Sequence, residues 1–508
     1  MPASSPGGGT LLCGLADLPE GAARGFDPGG RGHDTVFVVR RAGAVFGWRN
    51  DCPHHPGARM NWRKDAFLNA DGSLIMCSAH GALFDIETGL CQLGPCLGKR
   101  LTPVRLRIED GRIHLEGPPG PTSKGGTRMA QSHLPQNLNR VLIVGGGIAG
   151  MAAAIRLREA GVAVELIDKD PAWSVYGTGI TLSPLTFRAL CHLGFQDRLI
   201  AEGHGHDGVT LNDMQGRLIR EVRSERLVGP RVPAEGAVLR PVLHRMMSER
   251  VRALQTEVRL GVTVTALDQD DTGANVTFSE GRQDRYDLVI GADGLFSGLR
   301  DMVLENAPKP RFTGQACWRV LFDTPKDWHQ GQMFLGPETK VGFNPCSPDQ
   351  MYMYLLESVP GNPWREPDAL PAILQDLLAP FGGIVAELRA LVDDGREIIY
   401  RPLESILVPG DWYRGRVVLI GDAVHATTPH LGSGAGMAVE DALVLVEELS
   451  AHPSLEDALH GFMRRRLPRG RLVVGNSLKI GEMEMAGDPM PAQAALMAES
   501  IAAISAPY

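Results

Sequence analysis

The sequence predicts an N-terminal all-β domain followed by an α/β domain, the latter built on a parallel sheet with an inserted second β layer and C-terminal helices. Three observations carry this. Up to about residue 117, short stretches such as TVFVVRR and VRLRIEDGRIHLEG alternate apolar and polar residues between glycine and aspartate turns, the text of a small β domain. Residues 118–139, within GPPGPTSKGGTRMAQSHLPQNLN, are rich in proline, glycine and polar side chains with no apolar period, the composition of a linker. From Arg140 the chain reads VLIV, then glycines, then MAAAIRLREAG at helical spacing, then VAVELID: strand, helix, strand. The expected domains are therefore 1–117 and 140–508. Segments at about 200–290 and 311–400, containing ACWRVLF and MYMYLLES, are expected to supply the inserted layer.

A chain of 508 residues exceeds what one small core organises. Lys and Arg number 51 against 59 Asp and Glu, a balance of −8 that disfavours nucleic acid and anionic membranes as partners, since both require a positive field. The only basic cluster, RRRLPRGR at 464–471, reads as a solvated helix end. Glycine, at 61 residues, is about 12% of the chain against a usual figure of about 7%, which anticipates tight turns and close backbone approaches to ligands. Eight cysteines are sparse for a disulfide scaffold of this length, and the start MPASSPGGGTLLCG has no basic segment leading into an apolar one. The longest apolar runs contain glycine clusters and fall short of the roughly 20 residues that span a bilayer. A cytoplasmic protein acting on small molecules is expected.

Cys52-Pro53-His54 is followed, after 22 residues, by Cys77-Ser78-Ala79-His80. Two short loops each offer one thiolate and one imidazole, the supply a Rieske 2Fe-2S centre needs: two Cys on one iron, two His on the other. A Cys2His2 zinc site draws on the same residue types but usually pairs cysteines two to four apart, unlike this spacing. The surrounding text, CPHHPG, CSAHGALFDIETG and GPCLGKRLTPVRLRIEDGRIHL, resembles the Rieske ferredoxin family over about residues 10–117. The gap between the ligand loops is several residues longer than in typical members. Gly57 and Ala79 stand where respiratory-chain members place a disulfide, and Ala82 stands where they place a hydroxyl. The resemblance thus implies a low-potential, ferredoxin-like centre. Cys91 and Cys96 read as structural, and His55 as a neighbour of the ligands.

In the second domain Gly145, Gly147 and Gly150 form G-x-G-x-x-G between a strand and a helix, with Asp168 eighteen residues beyond the third glycine. This context marks a dinucleotide site: the glycines admit a pyrophosphate to the helix N-terminus, and the carboxylate accepts from ribose hydroxyls. The acid would repel a ribose phosphate, which favours FAD or NAD over NADP. Further on, DLVIGADGLFSGLR and RVVLIGDAVHATTPHLGSGAGMAVEDALVLVEEL place Asp293 and Asp422 after two more strands. In the latter, GSGAG opens a long helix whose N-terminal amides and dipole can stabilise negative charge on a flavin edge.

The three motifs in this order, with GTGITLSPLTFRALCHLGF and VLRPVLHRMM, resemble the FAD-dependent aromatic hydroxylases of the p-hydroxybenzoate and salicylate hydroxylase type over about residues 139–480. The resemblance implies that Asp422 holds the flavin ribityl chain and Arg240 reaches the flavin tail. It sets Gly179 and Ala435 against the cofactor, Pro429 near the ring, and Asp293 on the pyrophosphate side with an influence on reduction by nicotinamide. Ser433 departs from the glutamine common in the family. The implied reaction has NAD(P)H reduce FAD, and O2 then supply an oxygen atom to an electron-rich ring, a phenol or aminoarene bearing a carboxylate. The base that takes the phenol proton is not placed; His204, His206, Tyr352 and Tyr354 qualify by residue type alone, and Arg319 by charge for an anionic substrate group. A fused cluster is unusual for such an enzyme. Three readings follow: a monooxygenase whose Rieske domain relays electrons between a redox protein or nicotinamide donor and FAD, a Rieske-flavin reductase that supplies a separate oxygenase, and a flavoprotein whose Rieske domain serves only as a docking or structural module. The reductase reading is weakened because the mid-chain strand leads to GADG and not to a second G-x-G-x-x-G.

Overall fold

The computed structural model describes residues 9–30, 32–53, 59–61, 63–69, 72–77, 82–93, 99–109, 111–116, 138–175, 177–336, 339–393 and 395–508. The chain divides into two units, Met1–Thr127 and Arg128–Tyr508. Residues 118–137 of the expected linker lie outside the described residues.

Among the described residues the first unit holds three three-stranded antiparallel sheets and one short 3-10 turn, Leu15–Asp17. Its core gathers Phe37, Trp48, Met60, Phe67, Phe84, Cys52 and Cys77, with the Phe37 and Phe67 rings stacked at 4.1 Å. The local text explains two tight points. Gly89 in DIETG has φ +66, and a Cβ there would fall 2.5 Å from the Trp48 ring, so glycine is required twice over. Buried Asn50 donates to the Asp34 carbonyl at 2.8 Å and accepts the Met60 N–H at 2.8 Å, which closes the chain on both sides of the first Cys-x-His loop.

The second unit is built on a six-stranded sheet in the order Glu257–Leu260, Ala163–Asp168, Arg140–Val144, Leu288–Gly291, Val417–Leu419, Tyr413–Arg414, parallel except for the last pair. The central strands are buried on both faces, which is why VLIV and LVIG read as continuous apolar runs. A seven-stranded sheet forms the second layer around the long strand Arg311–Asp323. Alternation fixes its faces: Trp318, Val320 and Phe322 pack with Leu374, Leu378, Val385 and Leu388 of two helices, so Cys317, Arg319 and Leu321 look to the other side. The stretch from 200 to 290 is shared between layers. Gly208–Asp213 and Leu218–Arg223 join the seven-stranded sheet, while the helix Arg240–Ala253 and the strands from Glu257 to Gly291 belong with the parallel sheet and a small meander.

One expectation is corrected. RRRLPRGR is no solvated helix end: it lies inside the helix Leu455–Ala486, and Arg466 is fully buried because Glu440 and Asp441 of the preceding helix, Gly434–Ala451, meet its guanidinium at 2.8 and 2.7 Å. No helix among the described residues is long and apolar enough to cross a membrane.

Candidate functional site: a dinucleotide cleft and an iron–sulfur pair

The motif glycines sit where the first parallel strand of the second unit turns into the helix Ile148–Glu159. Gly145 has φ +108, and a Cβ there would lie 2.2 Å from the Ala292 carbonyl oxygen; a Cβ on Gly150 would lie 1.8 Å from the Gly145 oxygen. Both glycines therefore serve backbone packing. Gly147 differs: nothing lies within 4 Å of its would-be Cβ, which leaves open space at the helix N-terminus for an anion. Asp168, at the end of the second parallel strand, accepts the Gly146 N–H at 2.7 Å and the Asp170 N–H at 2.8 Å. It lines a cavity of about 120 Å³ with Gly147, Trp173, Arg240 and His244. Sequence reasoning missed Trp173, whose indole N–H donates to the Gly146 carbonyl at 2.9 Å and whose ring meets His244 edge-on. A tryptophan in an irregular stretch carries no local signal for this role.

Asp293 and Asp422 follow the next two parallel strands. Asp293 accepts the Leu299 N–H at 3.1 Å through one oxygen; the other is buried with no hydrogen-bond partner among the described residues. Arg300, also missed, is buried and donates to the Leu295 and Ala423 carbonyls at 3.0 and 2.8 Å, joining the two loops. Gly421 adopts φ +62, and its N–H donates to Asp441 at 2.8 Å. His425 bonds the same oxygen at 2.6 Å, and Arg466 the other at 2.7 Å. Burial opposes the Asp441 charge, but His425 and Arg466 outweigh it and hold its carboxyl below the ordinary range. Asp422 itself opens to the cleft, yet surrounding protein pushes its carboxyl up against the opposing pull of His425 and Arg240.

Arg240 is crowded enough that burial, then the Arg319 charge, lowers its pKa. Asp422 offsets part of the Arg240 charge, and Arg319 adds a second cation beside it, which suits an anionic ligand. Pro429 starts a short turn that ends at Gly432, φ +57. Ser433 directs its hydroxyl to the Leu431 carbonyl at 2.7 Å, away from any ligand role, and Ala435 lies in the first turn of the helix Gly434–Ala451. Gly179 opens the strand Gly179–Leu182. The room its missing side chain leaves is filled by the Tyr352 ring, 2.1 Å from a would-be Cβ. Tyr352 is hydrogen-bonded to Thr181 and, at 3.2 Å, to Asn344; Tyr354 lies beside it with ring centroids 5.9 Å apart. His204 bonds the His329 carbonyl at 3.0 Å. His206 is buried with Glu235 at 3.7 Å; burial takes His206 down to about 4 and Glu235 up to about 7.

In the first unit Cys52 and Cys77 are both buried in one core cluster, and the Cys77 N–H donates to the Ala82 carbonyl at 2.8 Å, bracketing the second ligand loop. His54, His80, His55, Gly57, Ala79 and Cys96 lie outside the described residues, while Cys91 is buried. Two buried thiols flanking two short loops suit a cluster with thiolates on one iron.

Residues 139–477 match the family model of the FAD binding domain, and residues 10–108 that of the Rieske [2Fe-2S] domain. The class is thus a flavoprotein with an N-terminal iron–sulfur domain. The chain belongs to the FAD-dependent aromatic monooxygenases. It is 32% identical to 2-heptyl-3-hydroxy-4(1H)-quinolone synthase of Pseudomonas aeruginosa, over 68% of this chain and 89% of that one. It is 31% identical to 6-hydroxynicotinate 3-monooxygenase of Bordetella bronchiseptica, over 61% and 82%. Klebsiella pneumoniae HpxO, solved with FAD and uric acid, superposes with a TM-score of 0.63 at 26% identity, over 72% of this chain and 94% of that one.

Proposed function

We propose that the protein is a cytoplasmic NAD(P)H-dependent hydroxylase of a small aromatic acid, with electrons relayed through its Rieske cluster. The observation that carries this reading is the convergence of Gly147, Asp168, Asp293 and Asp422 at the carboxyl ends of parallel strands, beside the cations Arg240 and Arg319. Gly145, Gly147 and Gly150 would admit the FAD pyrophosphate, Asp168 would hold the adenosine ribose, and Asp422 the ribityl chain. Arg240, Asp293, Pro429, Ala435 and the backbone at Gly179 would line the rest. When bound, FAD supplies the exchange with nicotinamide and O2. The chain's own part is to orient the ring and exclude water. Cys52, His54, Cys77 and His80 would hold the 2Fe-2S cluster.

The test is an anaerobic titration of purified holoprotein with NADH and then NADPH, with and without a panel of aromatic acids, following flavin absorbance and the cluster EPR signal together. Faster flavin reduction with one acid, and a hydroxylated product on admitting O2, is the expected outcome. Reduction of both centres indifferent to every acid, with electrons passing to an added acceptor protein, would replace this reading by the reductase.

A further inference from the structure

A cavity of about 240 Å³ opens between the strands Arg311–Asp323 and Ile399–Ser405, the Pro429 turn and the helix Leu455–Ala486. A cavity of roughly 150 Å³ accommodates benzene, so this one has room for a single ring with a carboxylate and a hydroxyl. Thr428 and His430, the residues on either side of Pro429, both line it. Both side chains are buried, and they are joined: Thr428 Oγ1 and His430 Nδ1 lie 2.8 Å apart. The other ring nitrogen, Nε2, lies 3.1 Å from Glu484 Oε2. Glu484 is fixed in turn by the Gln315 amide at 3.1 Å and by Lys340. Burial pushes the Glu484 carboxyl up, but His430 and Lys340 outweigh it and hold it at about 2.

The order is hydroxyl, imidazole, carboxylate. An ionised Glu484 accepts only, so His430 Nε2 carries a proton toward it and Nδ1 accepts from the Thr428 hydroxyl. The lone pairs of Thr428 Oγ1 are then available to a donor in the cavity. The helix approaches closely because Gly481 has no side chain; a Cβ there would lie 3.0 Å from the imidazole. The charged groups facing His430 are Glu484 and, behind it, Lys340; Arg311 and Glu482 line the same cavity.

We propose that Thr428, His430 and Glu484 form a proton relay that ionises the ring hydroxyl of an aromatic acid bound in this cavity. This deepens the hydroxylase reading and rests on it. The substrate O–H bond breaks as Thr428 Oγ1 takes its proton and passes its own to His430 Nδ1; no electrons move. The products are a phenolate, more electron-rich than the phenol, and an imidazolium whose Nε2–H stays bonded to Glu484. None of the four residues offered as bases by type alone belongs to this chain of contacts.

The experiment uses the full-length, FAD-loaded protein and 4-hydroxy-3-nitrobenzoate, whose phenolate is read as a visible difference band, at a pH one unit below the probe's own ionisation. Wild type should bind the probe mainly as phenolate. His430→Gln should lose at least about tenfold of the bound phenolate fraction, Thr428→Val should do the same, and Thr428→Ser should restore the band. A merely structural role for His430 predicts no such difference between Thr428→Val and Thr428→Ser. Retention of the full band in His430→Gln overturns the relay, and failure of wild type to bind the probe overturns the cavity assignment. Wild type whose flavin reduction responds to the probe while the probe stays protonated overturns the relay and leaves the hydroxylase reading standing. A relay-dependent band with no oxygen-dependent product from any acid does the reverse.

Discussion

Asp441 accepts the backbone N–H of Gly421 at 2.8 Å, so a buried carboxylate on the helix Gly434–Ala451 sets the loop that presents Asp422 to the cleft. Its two oxygens are shared among Gly421, His425 and Arg466, and Arg466 also bonds Glu440. Removing one member leaves other charges buried without compensation. Asp441→Ala is expected to cost about 3–5 kcal/mol of stability by chemical denaturation and to lower FAD retention in the folded fraction. Unchanged stability would mean that the loop is held by its backbone alone.

The motif glycines separate into packing and ligand roles. Gly150→Ala drives a methyl into the Gly145 carbonyl and should cost about 1–3 kcal/mol or more whether or not FAD is present. Gly147→Ala meets open space, at a φ of −75° that any residue adopts. Its apoprotein should match wild type within about 0.5 kcal/mol. Its FAD affinity, measured by flavin fluorescence, should fall about tenfold or more because the methyl occupies the approach to the helix N-terminus. Equal effects of the two substitutions on apoprotein stability would contradict this division.

These roles show how much of the site can be read in sequence. Gly145, Gly147, Gly150, Asp168, Asp293 and Asp422 are legible because a strand end, a tight turn and a helix start are local, and the chemistry demands fixed residue types at them. Cys52 and Cys77 are both buried in one core cluster, while the histidines of the Cys-x-His and Cys-x-x-His loops lie outside the described residues. Asp441, Arg300, Arg466 and the pair His430 and Glu484 are not legible, since each acts through a partner brought in from another element. Arg466 illustrates the cause: in a run of arginines, one-dimensional text cannot tell which guanidinium faces Glu440 and Asp441 and which face water. Gly179 is the converse, a glycine whose vacancy is used by Tyr352, far along the chain.

Two glutamates, one buried and one half-buried, should give opposite pH signatures. Glu235 is raised by burial from 4.5 to about 7, so the native state keeps a proton the unfolded chain has released; stability is lost as pH rises from about 4.5 to about 7. Glu235→Gln should match wild type at pH 4 and gain up to about 3 kcal/mol on it at pH 8. Glu484 is lowered to about 2, so its contribution is present above about 4.5 and lost as pH falls toward 2. Glu484→Gln should lose up to about 3 kcal/mol at pH 7, with the deficit closing in acid. Denaturant midpoints at four pH values decide both, and a Glu235 variant less stable than wild type at pH 8 would show that its carboxylate is needed ionised.

Cys52 is buried beside Trp48, Met60 and Phe67, and the chain on both sides of its loop is closed by Asn50, so Cys52→Ser should leave the first unit folded while removing a thiolate the cluster requires. The expected product is a protein with normal FAD absorbance, no Rieske EPR signal and reduced iron. If electrons reach the flavin through the cluster, substrate-dependent product formation should slow by at least about tenfold, because a two-thiolate iron site cannot form with one thiolate. Direct hydride transfer from nicotinamide would be indifferent to the change. Product formation at the wild-type rate in cluster-free protein would therefore remove the relay from the mechanism while leaving the hydroxylase intact, and flavin reduction that also survives would assign the electrons a route that bypasses the first unit.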